Sequence, residues 1–81
     1  MAVVTLYGKP GCHLCDEARD ALGRALAGYE VAMEHVDVTL DPALERRYGH
    51  RIPVVALDGE ELFEYVVDPY VLRERLDRVG S

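Results

Sequence analysis

A change of period inside the first 38 residues constrains this chain most. "AVVTLY" (residues 2 to 7) is a β-branched apolar run ended by Gly8, the pattern of a short buried strand. From His13 to Ala27 the pattern changes. Cys15, Ala18, Leu22, Ala25 and Leu26 recur in steps of three and four, while Arg19, Asp20 and Arg24 fall elsewhere. That predicts an amphipathic helix ending near Gly28. "VAMEHVDV" (31 to 38) returns to a strand pattern. Strand, helix and strand in so short a span form a βαβ unit, which makes the two strands parallel.

The rest of the chain continues in short elements. Asp41-Pro42 is a helix start, an Asp N-cap followed by Pro at the first helical position. Leu40, Leu44 and Tyr48 are expected on one face of that helix, with Gly49 ending it. "PVVAL" (53 to 57) is a third strand. Asp58-Gly59 is a two-residue hairpin signal that leads into "EELFEY" as an antiparallel fourth strand. Asp68-Pro69 starts a last helix, with Leu72, Leu76 and Val79 on its inner face and Gly80 after it. The order is β-α-β-α-β-β-α, an α/β fold with a four-stranded mixed sheet flanked by helices. No linker, repeat or low-complexity segment divides it, so residues 1–81 read as one domain.

Composition excludes several functions. The net charge of −6 speaks against nucleic acid as a partner, since phosphate binding needs clustered Lys and Arg. No apolar run approaches the roughly 20 residues that span a bilayer. The N-terminus lacks the basic n-region of a secretory signal. These features predict a soluble, cytoplasmic protein with no membrane partner, and a monomer.

Two cysteines, Cys12 and Cys15, are the chain's full complement. A bridge between them closes a tiny loop, which the chain-entropy model values at only about 2 kcal/mol. Stapling is a poor reason for such a pair, and chemistry is a better one. Cys12 falls where the loop after the first strand meets the first helix. There, unpaired N–H groups and the positive dipole end favour an anion such as a thiolate, so Cys12 is expected to be the nucleophile. Cys15 lies one turn on, along the apolar face, shielded but within reach, as a resolving thiol needs. Lys9 and protonated His13 favour the thiolate, whereas Asp16 and Glu17 oppose it. His13 is either a tuner of the redox potential or an exposed loop residue. A Cys-x-x-Cys beside a βαβ pattern reads as a thioredoxin-like redox motif. Pro53 opens a strand, where the missing N–H is tolerated, and an X-Pro bond there can be cis.

With those residues assembled, the chain resembles a small glutaredoxin-like protein of the thioredoxin-fold superfamily, over nearly its whole length. "KPGCHLC" is similar to the glutaredoxin Lys-Pro-x-Cys-Pro-Tyr-Cys signature, "VDVT" to the end of that family's second strand, and "RIPVVALDG" to its Thr-Val-Pro segment and following hairpin. The resemblance implies a thiol–disulfide oxidoreductase with Cys12 as nucleophile and Cys15 as resolving thiol. It implies a cis Pro53 facing the pair and Ile52 offering its backbone to the substrate. It gives Lys9 a contact with a glutathione carboxylate, and it matches Asp68 to the residue that binds the glutamyl end. It implies no bound cofactor, with glutathione as co-substrate. The substrate is a disulfide-containing protein or a low-molecular-weight thiol compound, and the reductant is glutathione or thioredoxin reductase. The sequence departs from the family in two places. His13-Leu14 stand where Pro-Tyr is usual, and Glu64-Tyr65-Val66-Val67-Asp68 stand where a Gly-Gly pair shortly precedes the Asp, with Glu64 in place of a glycine. Redoxins that draw electrons from thioredoxin reductase share the second departure.

Other residues have two readings each. Arg46, Arg47, His50 and Arg51 cluster before Pro53, either as cations at a helix C-terminus or as a basic rim that steers an acidic substrate. Arg51, nearest Pro53, is the one most suited to bind substrate. Asp68 also suits a helix N-cap. Tyr7, Tyr48 and Tyr65 read as core or rim, and His35 as structural. Two rival functions stay open at this level. One is copper, zinc or iron–sulfur binding through Cys12 and Cys15, although a closed zinc site needs four ligands. The other is a non-catalytic interaction module.

Overall fold

A computed structural model describes residues 2–79. Strand β1 (Ala2–Gly8) leads through a turn to helix α1 (His13–Ala25), and β2 (Val31–Asp37) follows. A short 3-10 turn at Val38–Leu40 precedes helix α2 (Pro42–Tyr48). Strands β3 (Val54–Leu57) and β4 (Glu60–Glu64) form a hairpin, and α3 (Pro69–Val79) ends the described chain. The expected order is present. The sheet runs β2-β1-β3-β4, with β1 parallel to β2 and antiparallel to β3. Gly80 and the side chain of Val79 lie outside the described residues.

The period-2 strands have two faces, and each face has its own core. Ala2, Val4 and Leu6 of β1 meet Val55 and Leu57 of β3, Ala18, Leu22 and Ala25 of α1, and Leu72 and Leu76 of α3. Tyr7 and Val54 point the other way, into a second cluster with Val38, Tyr48, Ile52 and Cys15. Strand β3 is therefore buried on both faces, as its unbroken apolar run requires.

Caps fix the element ends. Asp41 Oδ1 accepts from the Ala43 N–H, and Asp68 Oδ1 accepts from the Tyr70 and Val71 N–H groups. At the hairpin tip Asp58 and Gly59 have φ of 50° and 88°, the two positive values that match the twist of a tight hairpin. Asp58 Oδ1 also accepts from the Val3 N–H and so ties the turn to β1.

Several details differ from the sequence expectation, and β3 begins at Val54 rather than Pro53. Helix α1 stops at Ala25 rather than Ala27, because Leu26 makes the last helical bond to Leu22 O before the turn at Gly28. Strand β2 stops at Asp37, whose side chain caps the 3-10 turn that holds Val38. Strand β4 stops at Glu64, since Tyr65 has φ of 67° and cannot continue a strand. Leu40 is 82% exposed in the 3-10 turn and shares no buried face with Leu44 and Tyr48.

Candidate active site

The cysteine pair sits at the end of β1 and the start of α1. Gly11, with φ of 76°, turns the chain so that Cys12 becomes the N-cap. Its extended backbone leaves the first-turn N–H groups free, and the Cys15 N–H donates to Cys12 Sγ at 3.2 Å. A sulfur thus takes the place of the usual capping oxygen, and the helix directs an orphan donor at it. Cys12 is half-buried and Cys15 buried, and both are free thiols. Burial, followed by hydrogen bonding with the Cys12 thiol, pushes the Cys15 thiol up to about 11; the Lys9 backbone works against this.

Gly8 is a site residue that sequence reading treated only as a strand terminator. A Cβ added there would stand 3.0 Å from Cys15 Sγ. The resolving sulfur rests on the backbone of β1, which explains why glycine occupies that position. A glycine at the end of a strand that feeds a Cys-x-x-Cys helix was the available signal.

The segment before β3 completes the wall. The Ile52–Pro53 peptide bond is cis. Tyr7 pairs with Val54, so the ladder brings the residue after Pro53 to the end of β1 that leads to Cys12. Ile52 is buried in one cluster with Cys15, and Cys12 packs against that cluster. The β4–α3 connection is tied to the same segment. Tyr65 N–H donates to Pro53 O at 2.8 Å, and Tyr65 OH donates to His50 O at 2.9 Å.

The basic rim is paired within the chain. Arg51, 26% exposed at its side chain, donates to Glu61 at 3.0 Å and Glu64 at 3.1 Å, and its Nε donates to Arg47 O. The Arg51 bond holds the Glu61 carboxyl below its ordinary range. Arg47 and Arg51 each stand 5.3 Å from the Tyr48 ring centroid, and Tyr48 stacks on Tyr7 at 4.2 Å. Burial, then Tyr48, pushes the Tyr7 hydroxyl up from 10.0.

The remaining predicted site residues lie further out. His13 is 88% exposed and faces Glu17 at 3.7 Å. Lys9 is exposed, on the loop before Cys12. Asp68 is spent as the N-cap of α3. His35 is exposed rather than packed in the core, and it lines a groove behind Cys15. Among the described residues, no group of three His, Cys, Asp or Glu is placed to hold a metal ion. Among them, too, no helix is long and apolar enough to cross a membrane.

Comparison with known proteins identifies the family and the fold. A family model described as Glutaredoxin-like domain (DUF836) matches residues 3–77. An uncharacterized protein of Mycobacterium tuberculosis is 34% identical over 80 residues, covering 93% of this chain and 82% of that one. A structural-genomics target protein from X. campestris is 44% identical, with a TM-score of 0.75 over 93% of this chain and 96% of that one. A variant thioredoxin from Halobacterium salinarum is 24% identical and shares the fold, with a TM-score of 0.70 over 99% of this chain and 75% of that one.

Proposed function

This chain belongs to the glutaredoxin-like domain family, and we propose that it works as a thiol–disulfide oxidoreductase through Cys12 and Cys15. One observation carries the reading: Cys12 Sγ is the N-cap acceptor of α1, while Cys15 is the donor of that bond and lies buried behind it. The thiolate of Cys12 attacks a substrate disulfide R–S–S–R′. A bond forms between Cys12 and one substrate sulfur, and the other sulfur leaves and takes a proton. Cys15 then attacks Cys12 Sγ, and the second substrate sulfur leaves with the bonding pair. Two electrons pass from the cysteine pair to the substrate. A reductant returns the Cys12–Cys15 disulfide to the dithiol.

The surrounding residues take roles by position. Ile52 and Pro53 border the pair and offer backbone to the substrate chain. Lys9 and His13 supply polar groups at the margin, while Asp68 caps α3. Arg51 holds the segment before Pro53 against β4 through Glu61 and Glu64. The substrate is a disulfide-bearing protein or a small disulfide, and the reductant is glutathione or thioredoxin reductase. Glu64, in place of a glycine of the missing pair, adds bulk and negative charge near an anionic ligand and favours the second reductant.

A redox titration followed by mass spectrometry tests the reading. A single Cys12–Cys15 disulfide is expected to form within the physiological range of potentials, and its absence there refutes the oxidoreductase assignment. Cys15→Ser is expected to trap mixed disulfides on Cys12. Turnover with glutathione and its reductase, set against thioredoxin reductase, identifies the donor.

A further inference from the structure

Under the proposed function, Ile52 and Pro53 offer backbone to a substrate chain. The segment that carries them runs from α2 into β3, and the end of β4 holds it at several points. Arg51 reaches Glu61 and Glu64 of β4. Tyr65, one residue past β4, makes two further bonds, its N–H to Pro53 O at 2.8 Å and its hydroxyl to His50 O at 2.9 Å. A single residue thus occupies the carbonyls of His50 and Pro53, on either side of Arg51 and Ile52. The Arg51 N–H is also taken, donating to Tyr48 O at 2.8 Å. Ile52 alone keeps both its N–H and its C=O without a hydrogen bond to any described residue, although its side chain is buried. Backbone groups in such surroundings normally find partners. A substrate chain laid along this segment as an added strand supplies them.

Tyr65 is held in an unfavourable conformation to make its two bonds. Its φ of 67° lies in the left-handed region, which a bulky residue occupies only where its surroundings fix it there. A glycine takes that conformation without a clash but brings no hydroxyl to His50. Outliers of this kind gather at functional sites. The Tyr65 ring also stands near the cysteines. It is half exposed and lines a groove of about 290 Å³ together with Leu14, which lies between Cys12 and Cys15 in the sequence.

We propose that Tyr65 is a positioning residue for peptide disulfides: by bridging the His50 and Pro53 carbonyls, it holds the Ile52 N–H and C=O ready to pair with the backbone of a substrate chain beside the cysteine pair. This rests on the oxidoreductase reading and on Ile52 as the backbone partner of the substrate. Tyr65 touches no reacting atom. Its effect reaches disulfides that carry a peptide backbone next to the sulfur and passes by those that do not. The sulfur chemistry is the same for both. Cys12 and Cys15 give up two electrons and become a disulfide, and the substrate leaves as two thiols.

The test compares two disulfides, the homodimer of the end-blocked pentapeptide Ala-Ala-Cys-Ala-Ala and hydroxyethyl disulfide, which has no peptide backbone. Fully reduced protein is mixed with each, quenched by alkylation, and read by mass spectrometry as the fraction that carries the Cys12–Cys15 disulfide. Tyr65→Phe removes only the hydroxyl. In that variant the ratio of the peptide rate to the small-disulfide rate is expected to fall about fivefold, the scale of one hydrogen bond, with the fall confined to the peptide rate. Tyr29→Phe is the control, because it removes a phenol bond of similar length, to Asp77 at 3.0 Å, past the far end of α1. Its ratio should match that of the unaltered protein. An unchanged ratio in Tyr65→Phe overturns the assignment. So does an equal fall for both disulfides, or a ratio lowered as much in Tyr29→Phe, since either marks a loss of fold and not of position. An unaltered protein that is oxidised by neither disulfide refutes the exchange reading itself.

Discussion

Replacing Gly8 with alanine tests how closely the resolving sulfur rests on β1. The new methyl would stand 3.0 Å from Cys15 Sγ and 3.3 Å from Cys15 Cβ. Relaxed contacts between carbon atoms lie near 3.5–4.0 Å, so the start of α1 or the methyl must give by several tenths of an ångström. Overpacking of this kind costs about 1–3 kcal/mol. In a domain of this size each kcal/mol lowers Tm by roughly 4–8 °C. The cost depends on the sulfur, so a double-mutant cycle isolates it. In a Cys15→Ala background the 3.0 Å contact is gone and the 3.3 Å contact remains. Gly8→Ala is therefore expected to lose most of its penalty there, leaving a coupling of about 1 kcal/mol or more. Urea denaturation of the four proteins under reducing conditions measures this, with no disulfide to confuse the comparison. An equal penalty in both backgrounds would refute the argument, because the cost would then arise from the β1 backbone and not from Cys15.

Two further outcomes follow from single residues. Gly59 has φ of 88° with open space where a side chain would go, so Gly59→Ala pays only for its backbone conformation. The expected loss is about 1–2 kcal/mol by chemical denaturation. The Cys15 thiol is raised from 9.0 to about 11 in the folded chain, so the unfolded chain gives up that proton first. Its contribution to stability is complete below about pH 9 and is lost as the pH rises through about 11. The melting temperature of the reduced protein should then fall more steeply over that interval than that of Cys15→Ala. Parallel curves for the two proteins would contradict the shift.

Local signals made most of the fold legible. Asp41-Pro42, Asp58-Gly59 and Asp68-Pro69 each act within a few residues, and each is found doing what its backbone chemistry allows. The cysteine pair was legible for the same reason, since N-cap geometry and one helical turn are short-range matters. Leu40 was misplaced because a 3-10 turn broke the helical phase before Asp41, and periodicity alone does not register such a turn. Tyr65 gave no warning of its positive φ, because a non-glycine residue there depends on distant partners. Its N–H and hydroxyl are held by Pro53 and His50.

By itself, then, the amino-acid sequence determined the order of elements, the two helix caps, the hairpin and the position of Cys12 at a helix start. Those features rest on dihedral preference and hydrophobic period, which act along the chain. The tertiary structure alone decided what surrounds the pair. It set Cys15 on Gly8, closed Arg51 onto Glu61 and Glu64, and lined one groove with Cys15, His35 and Asp37. Each of these joins residues from different elements. Sheet register and packing fix their separations, and no local pattern along the chain encodes them.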